Sequence, residues 1–293
     1  MKKMVLIDAA VCAAVGAGLF GAAGLLAQQP AAATAGIPPP AAATAQTSPS
    51  GHPNDAYWIE HDRQLLVDFG NLARYKEDDL KLAAPAPGEN RVVFMGDSIT
   101  QAWKLGESFP GRPYIGRGIS GQTTPQMLVR YRQDVIDLKP KVVVILGGTN
   151  DIAGNTGPMT LEQIEGNIAS MAELAAANGI GVVLCSVLPA LDYHWAPGKE
   201  PAPKIAKLNE WIARYAARKS FVYVDYYAAM KDERGGLPPT LSQDGVHPLP
   251  AGYALMAPLV QVLEHFCPFS ELSIGALPAR LNTSLGRRAR GWP

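Results

Sequence analysis

This chain is short of cysteine, and its charges cancel. Three cysteines occur among 293 residues, too few for a scaffold built on disulfides. Cys12 falls in an N-terminal apolar segment, which leaves Cys185 in an apolar run and Cys267 toward the C-terminus. A bond between those two is one reading, and a pair of buried thiols is the other. No Cys/His pair has the spacing of a zinc site and no H-E-x-x-H occurs, so no metal is expected. Lys plus Arg number 26, and so do Asp plus Glu. Without a basic field, nucleic acid is not an expected partner. No internal repeat is evident.

What is present begins with a targeting pattern. Lys2 and Lys3 precede an Ala/Gly/Leu-rich stretch reaching Ala27. Leu25-Leu26-Ala27 and Ala33-Thr34-Ala35 both offer small-residue cleavage sites. Residues 1–27 read as an export signal, with an uncleaved membrane anchor as the alternative, so the chain is expected to be periplasmic or secreted. Residues 28–53 are rich in Ala, Pro, Thr and Ser without an apolar period and read as a linker. Residues 54–90 form a helical extension. Tyr57, Trp58, Leu65, Leu66, Phe69, Leu72 and Tyr75 suggest a helix interrupted near Gly70. Trp58, Leu65, Leu66 and Phe69 are expected to cover apolar surface of the main domain, with no part in its chemistry. That domain is placed at 91–268. A basic tail carrying Arg280, Arg287, Arg288 and Arg290 occupies 269–293 and reads as disordered.

Within the main domain, strands are expected at Val92–Met95, Tyr114–Gly116, Val142–Leu146, Gly181–Val187 and Phe221–Val224. Helical stretches fall at about Gln122–Leu138, Thr160–Asn178, Pro203–Lys219 and Pro250–Phe266. Alternation of strand and helix, with strands apolar throughout, implies a five-stranded, mostly parallel sheet covered on both faces. The expected class is therefore α/β, a three-layer α/β/α sandwich. Ligands of such folds bind beyond the carboxyl ends of the strands.

Three segments sit at such ends or just before the last helix. The first is Gly96-Asp97-Ser98-Ile99, where Gly96 permits a sharp turn and Ser98 falls at a helix N-terminus. Unpaired N–H groups there favour a developing negative charge. A plain helix cap by Asp97 or Ser98 is the competing reading. The second is Gly147-Gly148-Thr149-Asn150-Asp151, and the third Asp244-Gly245-Val246-His247-Pro248.

Together with Gly118 in Arg117-Gly118-Ile119-Ser120-Gly121, these blocks resemble the SGNH hydrolases, also called the GDSL esterase/lipase family. The resemblance runs from roughly Arg91 to Phe266, with Ile99 where the family name has leucine. It implies a flavodoxin-like fold and a carboxylic ester hydrolase that needs no cofactor. Ser98 would be the nucleophile, His247 its base and Asp244 the acid that fixes the histidine tautomer. The backbone N–H groups of Ser98 and Gly118 and the amide of Asn150 would form the oxyanion hole. Gly118 would be glycine so that no Cβ crowds the acyl carbon. The substrate would be a small-molecule, lipid or glycan ester: a short acyl chain, an acetylated carbohydrate or a lysophospholipid. Acyl transfer to another acceptor, and a carbohydrate-binding module without activity, are the rival functions.

Several residues compete for attention. The run from Gly116 to Gly121 matches G-x-G-x-x-G, but Asp134 and Asp137, near the spacing of a ribose-binding acid, read as helical. Asp97 and Asp151 are expected to hydrogen-bond the loops that hold Ser98 and Asn150. Asp225 reads as the cap of the next helical turn. Tyr193 and Trp195, on a loop after the fourth strand, are expected to line an apolar or sugar-stacking wall, with pinning of the loop as the alternative. His194 between them reads as a solvated loop residue.

Overall fold

The computed structural model describes residues 56–261. The segments expected to be an export signal, a linker and a basic tail, together with Cys12 and Cys267, lie outside the described residues.

Five strands form one sheet: β1 (Val92–Gly96), β2 (Tyr114–Gly118), β3 (Val142–Leu146), β4 (Gly181–Cys185) and β5 (Val222–Val224). Their order is β2-β1-β3-β4-β5, and every neighbouring pair is parallel. Both faces of the sheet are apolar because alternate residues point to opposite sides. Val93, Met95, Val143, Ile145, Val182 and Leu184 share one core with Met127, Ile164, Ile168, Ile205, Leu208 and Ile212. Val92, Phe94, Val142, Val144, Val183 and Cys185 share the other with Ile99, Trp103, Phe109, Met230, Met256 and Val260. Helices α5 (Thr124–Tyr131), α7 (Leu161–Ala177) and α8 (Pro201–Lys219) supply the first layer. The second comes from α3 (Ser98–Ala102), α4 (Leu105–Ser108), α9 (Tyr226–Met230) and α10 (Pro250–Gln261). The result is the three-layer α/β/α sandwich expected from the sequence.

Local chemistry explains where elements stop. The helix expected over Gln122–Leu138 starts at Thr124, because Thr123 and Gln126 form a capping box, and it passes into a π-helical turn over Arg132–Ile136. The fourth strand ends two residues early. The Asn209 side chain takes both backbone groups of Val187, accepting from its N–H at 2.7 Å and donating to its carbonyl at 2.9 Å. Cys185 is buried and free.

The helical extension differs from expectation. It consists of α1 (Ala56–Val67), a run of turns, and α2 (Lys76–Lys81). Trp58 and Tyr75 are buried, but Leu66 is 89% exposed and Phe69 40%. Those two residues therefore cover no core. What holds the turn region is polar. The side-chain amides of Gln126, Gln122 and Gln133 donate to the carbonyls of Phe69, Gly70 and Leu72 at 2.8, 2.9 and 2.8 Å. Apolar periodicity cannot see such contacts, since the buried partner is backbone.

Candidate active site

The site gathers at the carboxyl ends of β1, β2 and β3. Strand order reverses between β1 and β3, so the loops leaving them diverge and open a crevice. β1 ends at Gly96, where a Cβ would press on Thr100 Oγ1 and on the Leu146 carbonyl. Asp97 follows and caps α3, its Oδ1 accepting from the Ile99 N–H at 2.9 Å. Ser98 is thereby the first residue of α3, half-buried at its N-terminus.

Ser98 Oγ lies 2.8 Å from His247 Nε2, and His247 Nδ1 lies 2.6 Å from Asp244 Oδ2. The other oxygen of Asp244 is fully committed. It accepts from the N–H groups of Val246 and His247 at 2.9 and 2.8 Å and from the Ser242 hydroxyl at 3.0 Å. Burial raises the Asp244 pKa, but the His247 ring and the two backbone donors outweigh it and hold the group well below the usual carboxylate range. An ionised Oδ2 can only accept, so Nδ1 carries the ring proton and Nε2 is left to accept from Ser98.

On the other side of Ser98 stand Gly118, the last residue of β2, and Asn150, in α6 (Thr149–Ala153). A Cβ on Gly118 would come closer than 3.0 Å to Gln101 N, Asp97 O and Thr100 C. Glycine is needed here because the backbone of α3 crosses β2 at this point. That differs from the expectation that a methyl would crowd the acyl carbon.

The Asn150 amide is oriented by a relay. Its Oδ1 accepts from Asn155 Nδ2 at 3.0 Å, while Asn155 Oδ1 accepts from the Trp195 indole N–H at 3.0 Å. Asn150 Nδ2 then donates to the Gln122 carbonyl at 3.0 Å and reaches Asp97 Oδ2 at 3.4 Å. Asp151 secures the same helix to α5, accepting from the Thr124 N–H and hydroxyl. Burial pushes the carboxyls of Asp97 and Asp151 up to about 6, against the pull of the hydrogen bonds each accepts.

The loop after β4 divides its two candidates. Tyr193 is 0% exposed and stacks on Trp195 at 4.9 Å, so it forms no wall toward a ligand. Trp195 is half-buried and lies 6.2 Å from the His247 ring. His194 is exposed and packs edge-on against Trp195. A cavity of about 300 Å³ beside this loop is lined by Leu191, Asp192, His194, Leu237, Asp244 and Gly245.

Other residues fall away from the site. Asp225 caps α9, accepting from the Ala228 N–H at 2.9 Å. Asp134 is fully buried and paired with Arg130, not placed for a ribose. Among the described residues, no group of three or more His, Cys, Asp or Glu side chains is arranged to hold a metal ion. No described helix is long and apolar enough to cross a membrane. Sequence reasoning missed Asn155, Gln122, Arg130 and Tyr75. Each acts through a backbone carbonyl or another amide, and such a role leaves no pattern in a single chain.

The chain has known relatives. The model of the family described as GDSL-like Lipase/Acylhydrolase matches residues 94–255. A GDSL-like lipase from Bacteroides thetaiotaomicron has a solved structure 46% identical in sequence, with a TM-score of 0.66, covering 68% of this chain and 100% of that one. An acetylxylan esterase from Xylanibacter ruminicola is 26% identical over 69% of this chain, which spans 48% of that relative's length. An acetylxylan esterase from Geobacillus stearothermophilus is 25% identical over 57% of this chain and 90% of its own length.

Proposed function

The chain belongs to the GDSL-like lipase/acylhydrolase family, and from that premise we propose that it is an exported serine esterase acting on short acyl esters. The observation that carries this reading is the unbroken line of hydrogen bonds from Ser98 Oγ through His247 to Asp244. His247 Nε2 takes the Ser98 proton as Oγ bonds to the ester carbonyl carbon. The carbonyl oxygen becomes an oxyanion beside the Ser98 N–H, the Gly118 N–H and the Asn150 amide. His247 returns the proton to the departing alcohol, and the acyl group stays on Ser98. Water, deprotonated by the same histidine, then releases the acid and restores the serine.

The substrate is an acetylated or similarly short-acylated carbohydrate. Trp195 supports this, because it places a half-buried aromatic ring 6.2 Å from the catalytic histidine, the kind of side chain against which a sugar packs. The names of the two acetylxylan esterase relatives point the same way. Export follows from Lys2, Lys3 and the apolar stretch to Ala27.

The test is a substrate panel with Ser98→Ala as blank. It compares nitrophenyl esters of increasing chain length, acetylated xylan and lysophospholipid. Turnover should be highest on acetyl esters and on the glycan, and it should fall by on the order of 10⁴-fold or more in Ser98→Ala. Wild-type-like turnover in the folded Ser98→Ala protein would refute the serine mechanism. A preference for lysophospholipid would refute the carbohydrate assignment.

A further inference from the structure

We infer that Arg130 and Tyr75 are positioning residues of the oxyanion hole, gripping the two carbonyls on either side of the Gly118 N–H. The inference rests on the esterase reading above and extends it to side chains that touch no substrate. Gly118 N–H belongs to the peptide whose carbonyl is that of Arg117. Arg130 donates through NH2 to this carbonyl at 2.8 Å and to the Gly96 carbonyl at 3.1 Å. One guanidinium thus ties the end of β2 to the end of β1, one residue before the turn that carries Ser98. On the far side of Gly118, the Tyr75 hydroxyl donates to the Gly118 carbonyl. The peptide that aims the N–H is therefore held at its own carbonyl by Arg130, and the peptide after it by Tyr75, with the α3 backbone packed where a Gly118 side chain would stand.

The grip is itself braced. Arg130 is 0% exposed, and its Nε and NH1 are committed to Gln122 Oε1 and Asp134 Oδ2. Gln122 also gives its own carbonyl to Asn150, so the same cluster reaches a second oxyanion donor. The Tyr75 ring lies under the Arg117 guanidinium at 4.6 Å, and Arg117 pairs with Asp79 of α2. A cation on the Arg117 carbonyl polarises that peptide and makes its N–H a stronger donor. A charged residue without solvent is costly to retain for packing alone. The extension before β1 is thus part of the site, contrary to its expected lack of any role in the chemistry.

The experiment compares an ester with its thionoester, in which sulfur replaces the carbonyl oxygen. Donors aimed at a developing oxyanion discriminate against the larger, weaker acceptor, so the oxygen-to-sulfur ratio of kcat/KM reports on their placement. Tyr75→Phe removes one hydroxyl and keeps the ring. Its kcat should fall about 10-fold with KM unchanged, a part of the 10²–10³-fold that losing a whole donor costs, and its oxygen-to-sulfur ratio should shrink about 3-fold or more. Arg130→Lys keeps a cation for Asp134 but cannot reach both carbonyls, and it should shrink the ratio further. If Arg130→Lys does not fold, Tyr75→Phe decides the matter alone. A folded Tyr75→Phe protein with the wild-type ratio, even one of lower melting temperature, would overturn the inference and leave the esterase reading standing. Wild-type turnover that does not depend on Ser98 would overturn both.

Discussion

The two halves of the site are built in opposite ways. Asp244 and His247 are about one-third exposed, and every hydrogen bond that shapes Asp244 comes from within three residues of it. The half made by Ser98, Gly118 and Asn150 is gathered from strand ends far apart in the chain, around side chains with almost no exposure. Asp97, Asn150 and Asp151 are 1%, 3% and 2% exposed. A local turn can aim a proton relay in the presence of water, because its geometry is fixed by its own backbone. The oxyanion donors proposed above come from three separate strand ends, and only tertiary structure brings such groups together.

Asp244→Asn strikes the exposed half. Asp244 Oδ1 faces three donors, so the asparagine oxygen will take that place and its NH2 will face His247 Nδ1. Nδ1 must then accept, Nε2 carries the proton, and the serine loses its base. Turnover should fall on the order of 10⁴-fold with the fold intact, as when a triad acid is made an amide elsewhere. Asp225→Asn should leave activity unchanged, since that carboxylate caps α9. Steady-state kinetics on both variants decides. Equal losses in two folded proteins would remove Asp244 from its assigned role.

Next in size is Asn150→Ala, which strikes the buried half. Its amide is oriented by Asn155 and the Gln122 carbonyl, with only the longer contact to Asp97 Oδ2 on its remaining N–H, which is the one the proposed oxyanion would take. kcat should drop roughly 10²–10³-fold, about 2.7–4 kcal/mol, with little change in KM. A rise confined to KM would reassign Asn150 to ground-state binding.

The same division governs what the sequence discloses. Asp244-Gly245-Val246-His247 is readable because its residues meet one another. Ser98 and Asn150 are readable because short, continuously apolar runs announce the buried strands they follow. The sheet and its helices are legible for that reason too. The extension was misjudged because Leu66 and Phe69 look like core residues, while the contacts that hold the turns run from glutamine amides to carbonyls. For Tyr193 two readings stay open in the sequence, because an aromatic loop residue reads alike whether it faces a ligand or pins the loop; its burial under Trp195 fits the second. The proposed roles of Arg130 and Tyr75 carry no sequence signal, since the contacts that matter run to backbone carbonyls of strand residues more than ten positions away.

The two halves also respond differently to pH. Asp244 gains hydrogen bonds that favour its charged form. Asp151 is buried deeply enough that its pKa rises from 3.8 to about 6. Between those values the folded chain holds a proton on Asp151 that the unfolded chain has released. Its contribution to stability is therefore complete below about 3.8 and is lost as pH rises through about 6. Asp151→Asn removes this titration. Any change in its bonds to the Thr124 N–H and hydroxyl is a constant offset, so only the slope against pH matters. Asp97 is a poorer choice for the test, because an amide there would turn an NH2 toward the Asn150 NH2. Asp97 also pushes the Asp151 pKa up, so its own release from Asp151 works in the same direction. Relative to wild type, Asp151→Asn should gain about 1–3 kcal/mol of stability between pH 4 and 7. Denaturant unfolding at four pH values in that range measures it. Parallel curves for the two proteins would mean that Asp151 titrates like an exposed carboxylate and that burial around Asn150 is looser than the geometry indicates.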